Sequence, residues 1–178
     1  MNREQFEHVL RAAADIVQDE LVVVGSQAVL AQYPDAPKSL LTSLEVDLYP
    51  RTNPDRADEI DGAIGDGSRF AETYAYYAHG VGSETAVMPA GWEERLVRVE
   101  VAAAARSRTV VAWCLEIYDL VLAKLAAGRP HDLEFVQEAI RSLGLDAEQL
   151  ELGVDLMPQS HRELTRERLR GLLGRLSR

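Results

Sequence analysis

The sequence contains very few residues of the kinds that build disulfide frameworks and metal clusters. Among its 178 residues Cys114 is the one cysteine, which excludes an internal disulfide and a cysteine-ligated metal site. Such low cysteine use favours a reducing compartment, and we expect a cytoplasmic protein. The four histidines show no HExxH motif and no other metal-ligand spacing, so a histidine-based zinc enzyme is not indicated.

Long hydrophobic runs are also missing. The longest apolar runs, such as residues 21–25, fall far short of the ~20 residues that span a bilayer. The N-terminal segment MNREQFEHVL is charged and lacks the apolar centre of a signal peptide. We therefore expect neither membrane insertion nor secretion, and no membrane partner.

Acidic residues outnumber basic residues. The 19 Lys and Arg and the 29 Asp and Glu give a net charge of -10. The charge is uneven: residues 161–178 contain six arginines and two glutamates, which leaves a balance of -14 on residues 1–160. An acidic body of this kind is a poor platform for long nucleic acid. A divalent cation or a local basic patch would be needed to bring a phosphate to it.

The hydrophobic pattern predicts an α/β (α+β) core followed by helices. The run LVVVG at 21–25 predicts a buried strand, after which Ser26 is placed to cap a short helix. Residues 41–49 alternate as a second strand with an acidic face, and the glycines and tyrosines of 65–94 predict hairpin strands. Helical periodicity begins at about Ile117. We predict a core in residues 1–116 and a C-terminal helical subdomain in 117–178.

Two short motifs carry the chemical information. In VVGSQAVL, a strand ends at Gly25 and Ser26, where the backbone can approach a ligand and free amides can hold a phosphate. In SLEVDLYP, Glu45 and Asp47 stand two residues apart on a strand, so both carboxylates lie on one face. Two such oxygen ligands, with room for water and phosphate oxygens, describe a Mg²⁺ site.

Each motif alone is usually structural: a glycine-serine turn commonly joins a strand to a helix, and two acids on a strand are commonly a solvated face. Their combination in this order, about 20 residues apart, is much less common by accident.

With these motifs the sequence resembles the nucleotidyltransferase superfamily. A second block, DLVLAKLAAGRPHDLEFV at 119–136, resembles the helix-turn-helix of the AbiEii/MenT-like branch of bacterial toxin–antitoxin nucleotidyltransferases, in which an aspartate follows a lysine. Here these residues are Lys124 and Asp132, with Arg129 between them. The stretch at 88–99, MPAGWEERLVRV, is similar to small nucleotidyltransferase-like proteins of that branch.

The resemblance implies a polymerase-beta-like core with a mixed sheet, and it implies roles for named residues. Glu45 and Asp47 would hold Mg²⁺, with Mn²⁺ as the alternative, and Gly25, Ser26 and Arg129 would bind the nucleotide. The superfamily often has a third carboxylate on a neighbouring strand, for which alternation favours Glu100 ahead of Glu116. The chain departs from the family pattern because Glu45 stands where aspartate is usual.

Lys124 and Asp132 have two interpretations. Lys124 borders an apolar helix face, and it either contacts the triphosphate or an incoming hydroxyl, or simply forms an ion pair with Asp132. Asp132 in turn is an orienting residue, a general base or a helix cap. We take both residues as catalytic candidates together with Asp47.

The implied function is transfer of NMP from an NTP to an acceptor with release of pyrophosphate. By resemblance, the acceptor is the 3′ end of tRNA and the protein is the toxin of a toxin–antitoxin pair, with a cognate partner protein. Two alternatives remain: an antitoxin-type enzyme that attaches AMP to a protein, and a degenerate module that binds a nucleotide or protein without catalysis.

Overall fold

A mixed five-stranded sheet forms the centre of the computed structural model, which describes residues 1–102 and 109–176. The strands lie in the order β3-β2-β1-β5-β4. Strand β1 is antiparallel to β2 and parallel to β5, β2 is parallel to β3, and β4 is antiparallel to β5. The strands are β1 (Leu21–Val23), β2 (Glu45–Pro50), β3 (Tyr77–Gly80), β4 (Val97–Ala102) and β5 (Thr109–Cys114).

Seven α-helices surround and follow this sheet in the described part of the chain. The first has a capping box, because the Asn2 side chain accepts from the Gln5 amide while the Gln5 side chain accepts from the Asn2 amide. The helices are α1 (Arg3–Val17), α2 (Ala57–Ile64), α3 (Arg69–Tyr74), α4 (Ile117–Ala127), α5 (Pro130–Leu143), α6 (Ala147–Val154) and α7 (Gln159–Leu176). The mixed sheet with its helices confirms the predicted α+β class and is consistent with a nucleotidyltransferase-like core.

Two local predictions are wrong. Within residues 65–94 the chain forms α3 and then β3, which pairs in parallel with β2, so these residues contain no β-hairpin. A parallel pair needs a crossover, and α2 and α3 supply it. The helix after β1 is a 3₁₀-helix, Ser26–Ala31, and Gly25 rather than Ser26 occupies its N-cap position. The expected serine cap is therefore not formed.

Strand β5 leads directly into α4 at the place where we predicted the subdomain boundary. The Leu115 amide donates to the Val23 carbonyl, 3.0 Å away, and Glu116 caps α4 by accepting from the Tyr118 amide. Almost every residue of α4 is buried, which is the pattern of a helix covered on all sides. Because α4 contacts the 3₁₀-helix after β1 as well as α5, α6 and α7, it links the sheet to the last helices. The division into two domains stays a prediction.

The described residues contain no helix that combines the length and the apolar character required to cross a bilayer.

Candidate active site

Gly25 and Asp47 lie against each other where β1 and β2 adjoin. The Val24 amide donates to the Asp47 carbonyl, 3.0 Å away, which fixes the two backbones side by side. A Cβ atom added to Gly25 would lie 1.9 Å from Asp47 Oδ2. The backbone of Gly25 is extended, so it is the space and not the conformation that requires glycine. Glycine here makes room for the Asp47 carboxylate.

We therefore expect Gly25→Ala to displace the Asp47 side chain and to abolish any activity that depends on it. The cost in unfolding free energy should stay at about 1–3 kcal/mol, as for overpacking elsewhere. Gly62→Ala is the matched control, because a Cβ there meets nothing within 4 Å and Gly62 lies inside α2. That control should stabilise the helix by about 0.5–1 kcal/mol. Denaturant titration and the transfer assay described below measure both effects.

The parallel pairing of β2 and β3 places Tyr77 opposite Glu45 and His79 opposite Asp47. The Tyr77 hydroxyl donates to Glu45 Oε2 at 3.1 Å, and His79 Nδ1 lies 2.9 Å from Asp47 Oδ1. Burial, followed by the charge of Glu45, raises the pKa of Tyr77, so its hydroxyl keeps its proton. One ligand atom from each of Glu45, Asp47 and His79 lies within 4.8 Å of the other two.

The third carboxylate expected from the sequence does not join this group. Glu100 is exposed on β4, separated from β2 by β1 and β5, and it forms an ion pair with Arg98. The second candidate, Glu116, caps α4 and accepts from the Gln32 side chain. Alternation correctly assigns a residue to one face of a strand, but it does not say which strands are neighbours.

A second charged group lies at the start of α5. Asp132 is fully buried, and its Oδ1 accepts from Lys124 Nζ at 2.9 Å while its Oδ2 accepts from Arg129 Nε at 2.6 Å. The Lys124 ammonium also lies 4.8 Å from the centre of the Phe135 ring. Burial by itself raises the pKa of Asp132, but the hydrogen bonds from Arg129 and Lys124 outweigh it and hold that pKa below the ordinary value.

The two charged groups line one cleft of about 750 Å³. Its lining includes Gly25 and Ser26 as well as both groups, and its volume is in the range of small-molecule sites. The pKa of Arg129 is raised first by its hydrogen bond to Asp132 and further by the charges of Asp132, Asp47 and Glu45. Every predicted site residue except Glu100 therefore lines the same cleft.

Four of the five arginines of α7 make hydrogen bonds or ion pairs within the protein. Arg168 donates to the carbonyls of Leu125 and Ala126 at the end of α4, at 2.6 and 2.8 Å. Three others pair with acidic groups or a carbonyl close by: Arg162 with the Met157 carbonyl, Arg166 with Asp155 and Glu163, and Arg170 with Glu151. Part of the basic charge of this segment is thus neutralised by nearby acidic groups, while Arg170 and Arg175 remain exposed. Arg178 lies outside the described residues.

Comparison with known protein families shows to which family the chain belongs. A family model described as "Nucleotidyltransferase of unknown function (DUF6036)" matches residues 3–170. The chain belongs to this nucleotidyltransferase family. The match supports the superfamily indicated by the two motifs, and its description names no branch, metal or acceptor. No curated protein and no solved structure matches the chain.

Proposed function

We propose that this member of the nucleotidyltransferase family transfers NMP from an NTP to a hydroxyl acceptor with the help of a divalent cation. One observation carries the proposal: the carboxylates of Glu45 and Asp47 line the same cleft as the Lys124–Asp132–Arg129 group. In the transfer, the acceptor oxygen forms a bond to the α-phosphorus while the bond to the bridging oxygen breaks. Pyrophosphate leaves, and the hydroxyl proton passes to water.

The residues present fit a divalent cation. Glu45 and Asp47 offer carboxylate oxygens, which Mg²⁺ and Mn²⁺ prefer, and both side chains are partly exposed to the cleft. The Asp47 carboxylate occupies the space that a Cβ atom on Gly25 would fill. When bound, such a cation neutralises phosphate charge and orients the phosphate for attack.

Arg129 is the cation best placed to meet the triphosphate, because 64% of its side chain is exposed in the cleft. The Lys124 side chain is only 10% exposed, and its ammonium is held by Asp132. A carboxylate with a lowered pKa is a weak base, so Asp132 acts by orienting Lys124 and Arg129 and not by taking a proton. Gly25 and Ser26 line the same cleft, which supports their assignment to phosphate binding.

The acceptor we propose is the 3′ end of tRNA, with the protein as the toxin of a toxin–antitoxin pair. The support is the similarity of residues 119–136 to the AbiEii/MenT-like branch. A single-stranded end needs a small contact surface, which suits an acidic body in which several C-terminal arginines already pair with groups of the protein.

The deciding experiment supplies Mg²⁺ or Mn²⁺, each α-labelled NTP in turn, and either total tRNA or whole-cell protein. We expect label to move to tRNA and to be lost with Asp47→Ala. Transfer to protein would replace the tRNA proposal with an AMP-transferring enzyme of the antitoxin type. A folded sample that transfers no label from any NTP would contradict catalysis and favour a binding module.

A further inference from the structure

His79 has a position in the sheet that a metal ligand would need. It lies on β3 directly beside Asp47 on β2, and the parallel register holds the pair at a fixed distance. About half of its side chain is exposed, and it lines the cleft. The alternation of β3 puts Tyr77 on the same face, where its hydroxyl binds Glu45. Each carboxylate of the pair therefore has one partner from β3.

The imidazole completes a three-ligand group. Glu45, Asp47 and His79 are the only group of this kind among residues 1–102 and 109–176, and their ligand atoms lie within 4.8 Å of one another. His79 bonds to the Asp47 carboxylate, whereas the nearby cation Arg129 bonds to Asp132. His79 stands where the sequence led us to expect a third carboxylate.

An imidazole nitrogen changes which cation the site prefers. Mg²⁺ is a hard ion that favours oxygen ligands and gives up water reluctantly. First-row transition metals accept imidazole readily, and Mn²⁺ combines this with the carboxylate ligands that Mg²⁺ uses. A mixed set of two carboxylates and one imidazole therefore suits Mn²⁺ better than Mg²⁺.

We propose that His79 is the third protein ligand of the divalent cation and gives the site its preference for Mn²⁺ over Mg²⁺. This inference rests on the proposed function, since it assumes a cation at Glu45 and Asp47. His79 thereby takes the role of third ligand, for which the sequence favoured Glu100.

The test measures Mn²⁺ binding without any turnover. Mn²⁺ alone, and Mn²⁺ with a non-hydrolysable NTP, are titrated into the full chain and followed by electron paramagnetic resonance. Pulsed measurements detect the nitrogen coupling of a bound imidazole directly. We expect this coupling in the natural protein and its loss in His79→Gln. Loss of a residue that only supports a ligand already costs about 10–100-fold in metal affinity, so Mn²⁺ affinity should fall by at least about 10-fold. His79→Asp should lose the coupling but bind Mg²⁺ more tightly than the natural protein.

His161→Gln is the matched control, because His161 also lines the cleft but bonds to Ser160. It should keep the nitrogen coupling. Binding of Mn²⁺ without the coupling, or with unchanged affinity in His79→Gln, would overturn the His79 proposal and leave the Glu45–Asp47 site standing. Failure of the folded natural protein to bind Mn²⁺, with or without the nucleotide, would overturn both the His79 proposal and the metal-dependent function.

Discussion

Asp47→Asn should lower nucleotide transfer by about 10³-fold or more while leaving the chain folded. Charge stabilisation by a bound cation is worth several kcal/mol in the transition state, and each 1.36 kcal/mol corresponds to tenfold in rate. Asparagine keeps the shape of the side chain but removes the anionic ligand. The Asp47 side chain also occupies the space that the missing Cβ atom of Gly25 leaves free.

The stability of Asp47→Asn separates a chemical role from a structural one. Glu45 and Asp47 lie close together and repel each other, and Asp47 is partly exposed. Removal of one charge should therefore leave the unfolding free energy within about 0.5 kcal/mol of the natural protein's value. A slight increase is also expected, because residues kept for function often reduce stability. Denaturant titration beside single-turnover kinetics measures both quantities.

Glu100→Gln is the matched control for Asp47→Asn, because it also removes one carboxylate from a strand of the same sheet. Glu100 is exposed and lies three strand positions from β2, so the transfer rate should stay unchanged. A rate for Asp47→Asn within tenfold of the natural protein would contradict the proposed cation site. A large loss with Glu100→Gln would show that our placement of the site is wrong.

The sequence could predict proximity for candidate residues whose partners follow from local spacing. Glu45 and Asp47 share a face because side chains alternate along a strand. This alternation can be read from the sequence of the strand alone. Lys124 and Asp132 are joined by one short turn, at which Gly128 adopts the left-handed conformation. In such cases the distance along the chain already fixes which groups meet.

The sequence did not predict that His79 lies beside Asp47, because this neighbour is set by topology and not by local sequence. The residues at 65–94 are rich in glycine and tyrosine, which favours a hairpin, and a hairpin would not pair β3 with β2 in parallel. The available signal is the alternation of Tyr77 and His79, two polar side chains on one face of a short strand, on either side of the buried Ala78. Once β2 and β3 are paired, that alternation matches Glu45 and Asp47 residue for residue.

Asp132→Asn is expected to cost about 3–5 kcal/mol of unfolding free energy at neutral pH. The change leaves the Lys124 ammonium buried without its anion, and breaking a buried ion pair from one side has about this cost. Lys124→Met should cost less, because Asp132 keeps Arg129 as a partner and methionine can pack on Phe135. The double variant should cost less than the sum of the two single variants.

Acid pH provides an independent check on Asp132. Because the pKa of Asp132 is lowered in the folded state, its contribution to stability is fully present above the ordinary aspartate value of about 3.9. That contribution is lost as the pH falls through the lowered folded-state pKa. The stability difference between the natural protein and Asp132→Asn should therefore be constant from pH 7 to about pH 5 and should shrink toward pH 3. Urea titrations at these three pH values measure it. A difference that stays the same at pH 3, or a Lys124→Met variant less stable than Asp132→Asn, would mean that Asp132 is not the anion on which both cations depend.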